Sequence, residues 1–327
     1  MKRLVITCMA GLAALTMMAQ TGSGSSATEK SKVFVTRDIS AESLVNIYKA
    51  LGRKAEGRVA VKISTGESEK TGYLRPALIK DLVQEVNGTI VECNTAYGGA
   101  RQSTEDHWNA IRERGFMDIA KVDIMDEEGD MRIPVRDTTW LKYDIVGTHM
   151  QNYDFMINLA HFKGHQMGGL GGVLKNASIG CGSTAGKAYI HSHGVTDKTP
   201  ECWQYTQPQD AFIESMAAAA QAVHEYFNGG KNILYISVMY KMSIDCDCNG
   251  DPQPPLFADY GILASLDPVA LDQACFDIVT QIHNDEHNNT QPLLNRIEKL
   301  HGTHIMEWGE KIGLGTRQYE LVSIDKK

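Results

Sequence analysis

Between residues 161 and 193 the chain reads HFKGHQMGGLGGVLKNASIGCGSTAGKAYIHSH. His161, His165, His191 and His193 bring imidazoles that titrate near neutrality or ligate metals. Lys163, Lys175 and Lys187 bring ammonium groups suited to oxyanions. The glycines, from Gly164 to Gly186, let the backbone take unusual dihedrals and approach a ligand closely, and exposed amides in such segments bind anions. One chemistry this set supports is acid–base work on a small anionic substrate such as a hydroxy acid. In it His165 and His191 move protons, or hold a metal that polarises the substrate, with Lys175 beside them. Arg75, Arg101 and Lys163 would hold the carboxylate or phosphate. The segment is neither a Walker loop nor a dinucleotide fingerprint, because no Lys-Ser/Thr pair closes it and the glycine spacing differs. Buried polarity of this density must be paired, so the cluster reads as one site.

A second group is Cys246-Asp247-Cys248. Two thiols one residue apart can ligate one soft metal ion, and a disulfide between them would be reducible. Cys181 and Cys202 lie close enough in sequence to the histidines to join them. The expected centre therefore combines Cys246 and Cys248 with Cys181 or Cys202, or with His191 or His193. Zinc suits a closed tetrahedral set, and an iron–sulfur cluster is the other candidate. Two structural disulfides are the alternative. Asp245, Asp247 and Asp251 would also suit a cation. Cys93 and Cys275 sit in apolar runs and read as inert core thiols. Asp259 and Asp272 are candidates to orient the histidines, and Asp267 reads as a helix cap.

Four ordered blocks carry a family resemblance: GYLRPALIKDLV at Gly72–Val83, NTAYGGAR at Asn94–Arg101, KGHQMGGLGGVLKNASIG at Lys163–Gly180, and CDC with DYGILASLDPVALDQA, from Cys246 to Ala274. On these the chain is identified as a member of the family called domain of unknown function 362, from about Val59 to about Ile282. Some members resemble iron–sulfur proteins through an added ferredoxin-type cysteine array, and this chain has no such run. A more distant resemblance is to the nickel-pincer lactate racemases, in the order and spacing of His165, Lys175 and His191 and in Arg75-Pro76. It departs at Tyr97–Arg101, where those enzymes carry a further histidine. It implies a shared architecture and site location rather than a shared reaction.

The elements that must position these residues alternate. Strands are expected at Val33–Thr36, Val59–Ile63, Thr89–Glu92, Asp118–Ile124, Phe155–Leu159, Ile233–Tyr240 and Tyr319–Ile324, with a further one near Asp259. Helices are expected at Ala41–Leu51, Arg75–Val86, Thr104–Arg114, Gln209–Phe227, Pro268–Ile282 and Pro292–Leu300. Strands separated by helices of this length predict an α/β fold with a largely parallel sheet and flanking helices, either as one continuous domain or as two lobes meeting near 136–147. Functional loops in such folds gather at the carboxyl ends of the strands.

Residues 1–19 have the layout of a cleaved signal peptide: Lys2-Arg3, an apolar stretch from Leu4 to about Met18, then Ala19. A small polar linker, expected to be disordered, follows over 20–31, and the α/β domain over 32–327. The expected location is periplasmic or secreted, with no stable membrane insertion after cleavage, because later apolar runs fall short of the roughly 18 residues a span needs. The formal net charge of −8 and the lack of a basic run argue against nucleic acid. The expected partners are a small anionic molecule or an electron-transfer protein. Three functions compete: a metal or iron–sulfur protein with a redox role, an isomerase-like enzyme doing metal-assisted acid–base chemistry on a small anion, and a periplasmic solute binder.

Overall fold

The computed structural model describes residues 30–326. The expected leader and most of the linker lie outside them. The linker's last residue, Ser31, already belongs to the first strand.

In chain order the elements are β1 (Ser31–Thr36), α1 (Ala41–Ala50), β2 (Val59–Lys62), α2 (Pro76–Glu85), β3 (Thr89–Glu92), α3 (Thr104–Glu113), β4 (Lys121–Ile124), β5 (Asp130–Ile133), β6 (Asp144–Gly147) and β7 (Phe155–His161). There follow β8 (Lys163–His165), β9 (Gly169–Gly171), α4 (Val173–Ala177), α5 (Thr184–His191), α6 (Gln209–Tyr226), β10 (Ile233–Met239), β11 (Gly261–Ser265), α7 (Pro268–Gln281), α8 (Gln291–Lys299), α9 (His304–Lys311) and β12 (Tyr319–Ser323). Local chemistry sets many of the ends. Ser40 and Ser103 accept hydrogen bonds from N–H groups in the first turns of α1 and α3. Pro76 and Pro268 occupy the first turns of α2 and α7, where a missing N–H costs nothing. Asp267 caps α7 as expected, accepting from the N–H groups of Val269 and Ala270.

One sheet of eight strands, ordered β12-β1-β11-β10-β7-β2-β3-β4, forms the centre. Its strands run parallel except β11, which is antiparallel to both neighbours. The fold is thus α/β with a largely parallel sheet. Alternate residues divide between two cores. Val61, Ile90, Ile157, Leu159, Ile236 and Val238 pack with α1 and α2 on one face. Ala60, Val91, Met156, Ala160, Tyr235 and Leu263 pack with α4, α6 and α7 on the other. Covered on both sides, β7 and β10 are buried at every position, which is why they read as mostly apolar runs, with Asn158, His161 and Ser237 the polar members.

The order of the strands decides where a ligand can enter. From β2 the chain steps outward through β3 to β4, with α2 covering the first face. From β7 it steps the other way to β10, after α4, α5 and α6 on the second face. The reversal falls between the neighbours β2 and β7, and a crevice opens outside the carboxyl ends of strands at such a point. The stretch 136–147 ends in β6, which pairs with β5 in a small antiparallel sheet and packs against α5. No helix among the described residues is long and apolar enough to cross a membrane.

Candidate functional site

The crevice at the reversal point is a small cavity lined by Lys62, Ser64, Glu92, Cys93, Thr95, Tyr97, Arg101, His165, Lys175, Asn176, Ile179, Gly180, Lys187, His191 and Cys248. Lys62 ends β2 and Glu92 ends β3, so neighbouring parallel strands deliver opposite charges to the same level. The cavity is small, with room for a few waters or a molecule of a few heavy atoms and too little for a nucleotide.

Four lining side chains are basic and one, Glu92, is a carboxylate. Glu92 is committed to the wall. It accepts from Arg101 Nη1 at 3.2 Å and from the Thr65 backbone N–H at 2.7 Å, and lies 3.9 Å from Lys62 Nζ. Burial opposes its ionisation, but Arg101, His107 and Lys62 outweigh that and hold it well below the usual carboxylate range. Arg101 is spoken for as well: Nε donates to Glu67 at 3.0 Å, Nη1 also to Ser64, and Nη2 to the Tyr97 hydroxyl. Lys62 donates to the Ile63 carbonyl and to Asn176, and Lys187 to the Gly182 carbonyl. Lys175 feels burial first and then the charges of Lys163, Arg101 and Lys62, all of which lower its pKa well below that of a free lysine. A cavity in this electrostatic condition gains most from an entering anion.

The two cavity histidines are held in opposite tautomers by their hydrogen bonds. His191 lies one turn beyond Lys187 on α5 and donates Nδ1–H to the Lys187 carbonyl at 2.6 Å, leaving Nε2 as a lone-pair acceptor. Phe212 stacks on its ring and Trp203 meets it edge-on. His165 Nδ1 accepts the Gly168 N–H at 2.7 Å, which places its proton on Nε2. Burial pushes the His191 pKa down to about 4, and burial with Lys175 nearby pushes that of His165 well down, so both rings are neutral at pH 7. One ring is therefore set to donate a proton and the other to accept one.

The Cys-Asp-Cys loop closes the cavity. Cys246 and Cys248 are joined as a disulfide, and Cys248 lines the wall. Asp247, between them, accepts from Lys163 Nζ at 3.0 Å and faces His161 Nδ1 at 3.0 Å, while His161 Nε2 meets the Tyr240 carbonyl. Thus β7 and β8 hold the loop through the residue between its sulfurs. Gly164 in β8 lets the loop approach: a side chain there would collide with the Ile244 backbone, and the Gly164 N–H donates to the Ser243 carbonyl. A second loop is fastened over the first, with the Glu67 N–H on the Asp247 carbonyl, Ser68 Oγ on the Gly250 carbonyl and Lys70 paired with Asp251.

One ligand atom from each of His165, Cys246 and Cys248 lies within 4.8 Å of the other two, so a metal-capable group exists at the cavity. The imidazole that reaches the cysteine pair is His165, not His191 or His193. Cys181 and Cys202 do not join it. Cys181 is wholly buried, its thiol directed at the Asn176 carbonyl and its pKa pushed up to about 11 by burial. Cys202 is a separate buried free thiol. Arg75 lies outside the lining, over the Tyr73 ring and paired with Glu69 at 2.9 Å, and Lys163 serves Asp247 rather than the cavity. Asp272 does not orient a histidine: its two oxygens accept the N–H groups of Val173 and Leu174 and so fix the start of α4, which carries Lys175. Asp259 accepts from the Lys241 N–H instead. Cys93 is buried and free but lines the cavity. Lys62, Glu92 and Tyr97 were not singled out in the sequence. Position at a strand's carboxyl end is the signal that marks Lys62 and Glu92, and Tyr97 sits within the NTAYGGAR block.

Architecture and site together define a doubly wound α/β protein with a cationic polar cavity at its strand-order reversal. The chain belongs to the family described as Domain of unknown function (DUF362), which matches residues 59–277. No curated protein matches it. Among solved structures it is similar to the lactate racemase apoprotein from Thermoanaerobacterium thermosaccharolyticum, with a TM-score of 0.43 and 12% identity over 77% of this chain and 57% of that one. It is also similar to a structural-genomics target from Thermotoga maritima, with a TM-score of 0.41 and 11% identity over 83% of this chain and 58% of that one. This chain therefore spans less than two thirds of either protein's length.

Proposed function

We propose that this protein binds a small carboxylate or similar oxyanion in the cavity and transfers protons on it, with His165 as donor, His191 as acceptor and Lys175 holding the charge. The observation that carries the reading is the make-up of the wall, four basic side chains and one already paired carboxylate, around two neutral imidazoles of opposite tautomer. The reaction class is isomerisation or proton exchange next to a carboxylate, in a protein working beyond the inner membrane. The test joins thermal unfolding with two- to four-carbon carboxylates to NMR detection of solvent deuterium entering the Cα–H of 2-hydroxy acids. Stabilisation together with exchange is expected. His191→Ala should abolish exchange and keep stabilisation, and Lys175→Ala should abolish both. Stabilisation without exchange would leave a solute binder, and neither effect would end the proposal.

A second reading rests on the convergence of His165 with Cys246 and Cys248: a metal bound at the cavity mouth. Three protein donors with one open position suit zinc. An iron–sulfur cluster takes four protein ligands, one more than this group offers, so a cluster and its electron-transfer partner are less well supported. A disulfide offers no thiolates, so metal uptake requires reduction of the pair by a dithiol. Elemental analysis of reduced protein should find one zinc per chain more than a Cys246→Ser/Cys248→Ser protein holds, and His165→Ala should lose that extra zinc. Reduced protein with no more zinc than the Cys246→Ser/Cys248→Ser protein would remove this reading and leave the first standing.

A further inference from the structure

A second side-chain cluster lies on the surface between the start of α6 and the start of α9. Asp210 and Glu214 are one turn apart on α6, and His301, His304 and Glu307 follow an H-x-x-H-x-x-E spacing into α9. Ligand atoms of His301, His304 and Glu307 all lie within 4.8 Å of one another. Each imidazole has one nitrogen already held by an α6 carboxylate: His301 Nδ1 by Asp210 at 2.6 Å and His304 Nε2 by Glu214 at 2.9 Å. That leaves His301 Nε2 and His304 Nδ1 for a common partner, and the latter already lies 3.2 Å from Glu307 Oε2. A carboxylate on the far nitrogen of a metal-bound histidine fixes the ring's direction and raises its basicity. An ion-pair network needs only carboxylates on the imidazoles. It does not need ligand atoms of all three residues within 4.8 Å of one another.

We infer that His301, His304 and Glu307 form a divalent-metal site, with Asp210 and Glu214 as the orienting carboxylates. Two imidazoles and a carboxylate, with a fourth position open to water, suit a borderline cation of the zinc class. The site is separate from the cavity and independent of any reading of it. A metal there would tie α6, whose Phe212 stacks on His191, to α9 across the helical layer.

The test is equilibrium dialysis of the full chain against zinc, with elemental analysis, in a Cys246→Ser/Cys248→Ser background that removes the cavity thiolates. One zinc per chain is expected. His304→Ala should abolish uptake. His301→Ala, at a half-exposed position that folding tolerates, should weaken it by tenfold or more. Asp210→Asn, which leaves all three ligands in place, should weaken it by about 10- to 100-fold and shift the visible band of the cobalt-substituted protein. Zinc uptake absent from the Cys246→Ser/Cys248→Ser protein, or present but unchanged by His301→Ala and His304→Ala, would overturn the inference.

Discussion

Arg101 shows how a residue can line a binding cavity and still be structural. Its guanidinium spans Glu67, Glu92, Ser64 and Tyr97 at 3.0–3.2 Å, a fork that an ammonium cannot reproduce. Arg101→Lys keeps the charge but leaves at least one buried carboxylate under-bonded, so it should cost about 2–4 kcal/mol in urea unfolding. Asp144 behaves differently. It is wholly buried, its Oδ1 accepts the Ile145 N–H, and its Oδ2 has no partner. Burial pushes its pKa up to about 7 from an ordinary 3.8. A raised folded-state pKa gives stability that is complete below pH 3.8 and lost as pH rises through 7. Between pH 4.5 and pH 8 the wild type should therefore lose about 2–3 kcal/mol relative to Asp144→Asn, read from paired unfolding curves. An equal pH slope in the two proteins would show that Asp144 is not neutral in the fold. At this scale the sequence was informative about residue types and blind to residue partners. His165, Lys175 and His191 stood out because polar groups crowd a glycine-rich run. Lys62 and Glu92 did not, because each ends an ordinary strand and gains meaning only from the strand beside it.

Among the elements, the short helix α4 bears the most on the site. Five residues cannot hold a helix by propensity, since nucleation is costly. Asp272 of α7 supplies what α4 lacks, taking the N–H groups of Val173 and Leu174 at 2.9 and 3.0 Å. Gly172 makes the approach possible, because a side chain there would strike the Asp272 carboxylate. Asp272→Ala should leave two buried N–H groups unpaired, cost about 2–4 kcal/mol, and release Lys175 from its position. The expected pair of results is a lower melting temperature and loss of carboxylate-induced stabilisation. Retained ligand stabilisation would show that Lys175 is placed by its neighbours rather than by this cap. The long elements were legible. Thr89–Glu92 falls where expected, and the six expected helices form within a residue or so of their predicted ends, because apolar periodicity and first-turn prolines report on local preference. The elements inside the glycine-rich segment, β8, β9, α4 and α5, were not expected. They are held by contacts remote in sequence, such as Asp272 on α4 and Ser243 on β8, which no local pattern records.

The whole molecule gathers residues from β2, β3, β8, α4, α5 and the Cys-Asp-Cys loop at one crevice, and strand order alone explains why they meet there. The sequence implied the parallel sheet, but not which strands are neighbours, so it named His191 or His193 beside Cys246 and Cys248 where the fold brings His165. The same global view joins the leader reading to the cysteines. The chain has seven cysteines, of which Cys8 lies in the expected leader. Two form the disulfide, and Cys93, Cys181, Cys202 and Cys275 are buried free thiols. Burial raises the pKa of each of the four, and the thiol form is the unreactive one, so they can stay reduced in an oxidising compartment while the folded state lasts. If the leader is removed near Ala19, thiol titration of protein recovered from the periplasm should find almost none in the native state. It should then find four in denaturant and six after reduction. One thiol more in each of the last two counts, with Met1 still present by mass spectrometry, would mean that the first nineteen residues stay attached. Six in denaturant without added reductant would mean that Cys246 and Cys248 are a dithiol in the working protein, and the metal reading of the cavity would gain what the disulfide form withholds.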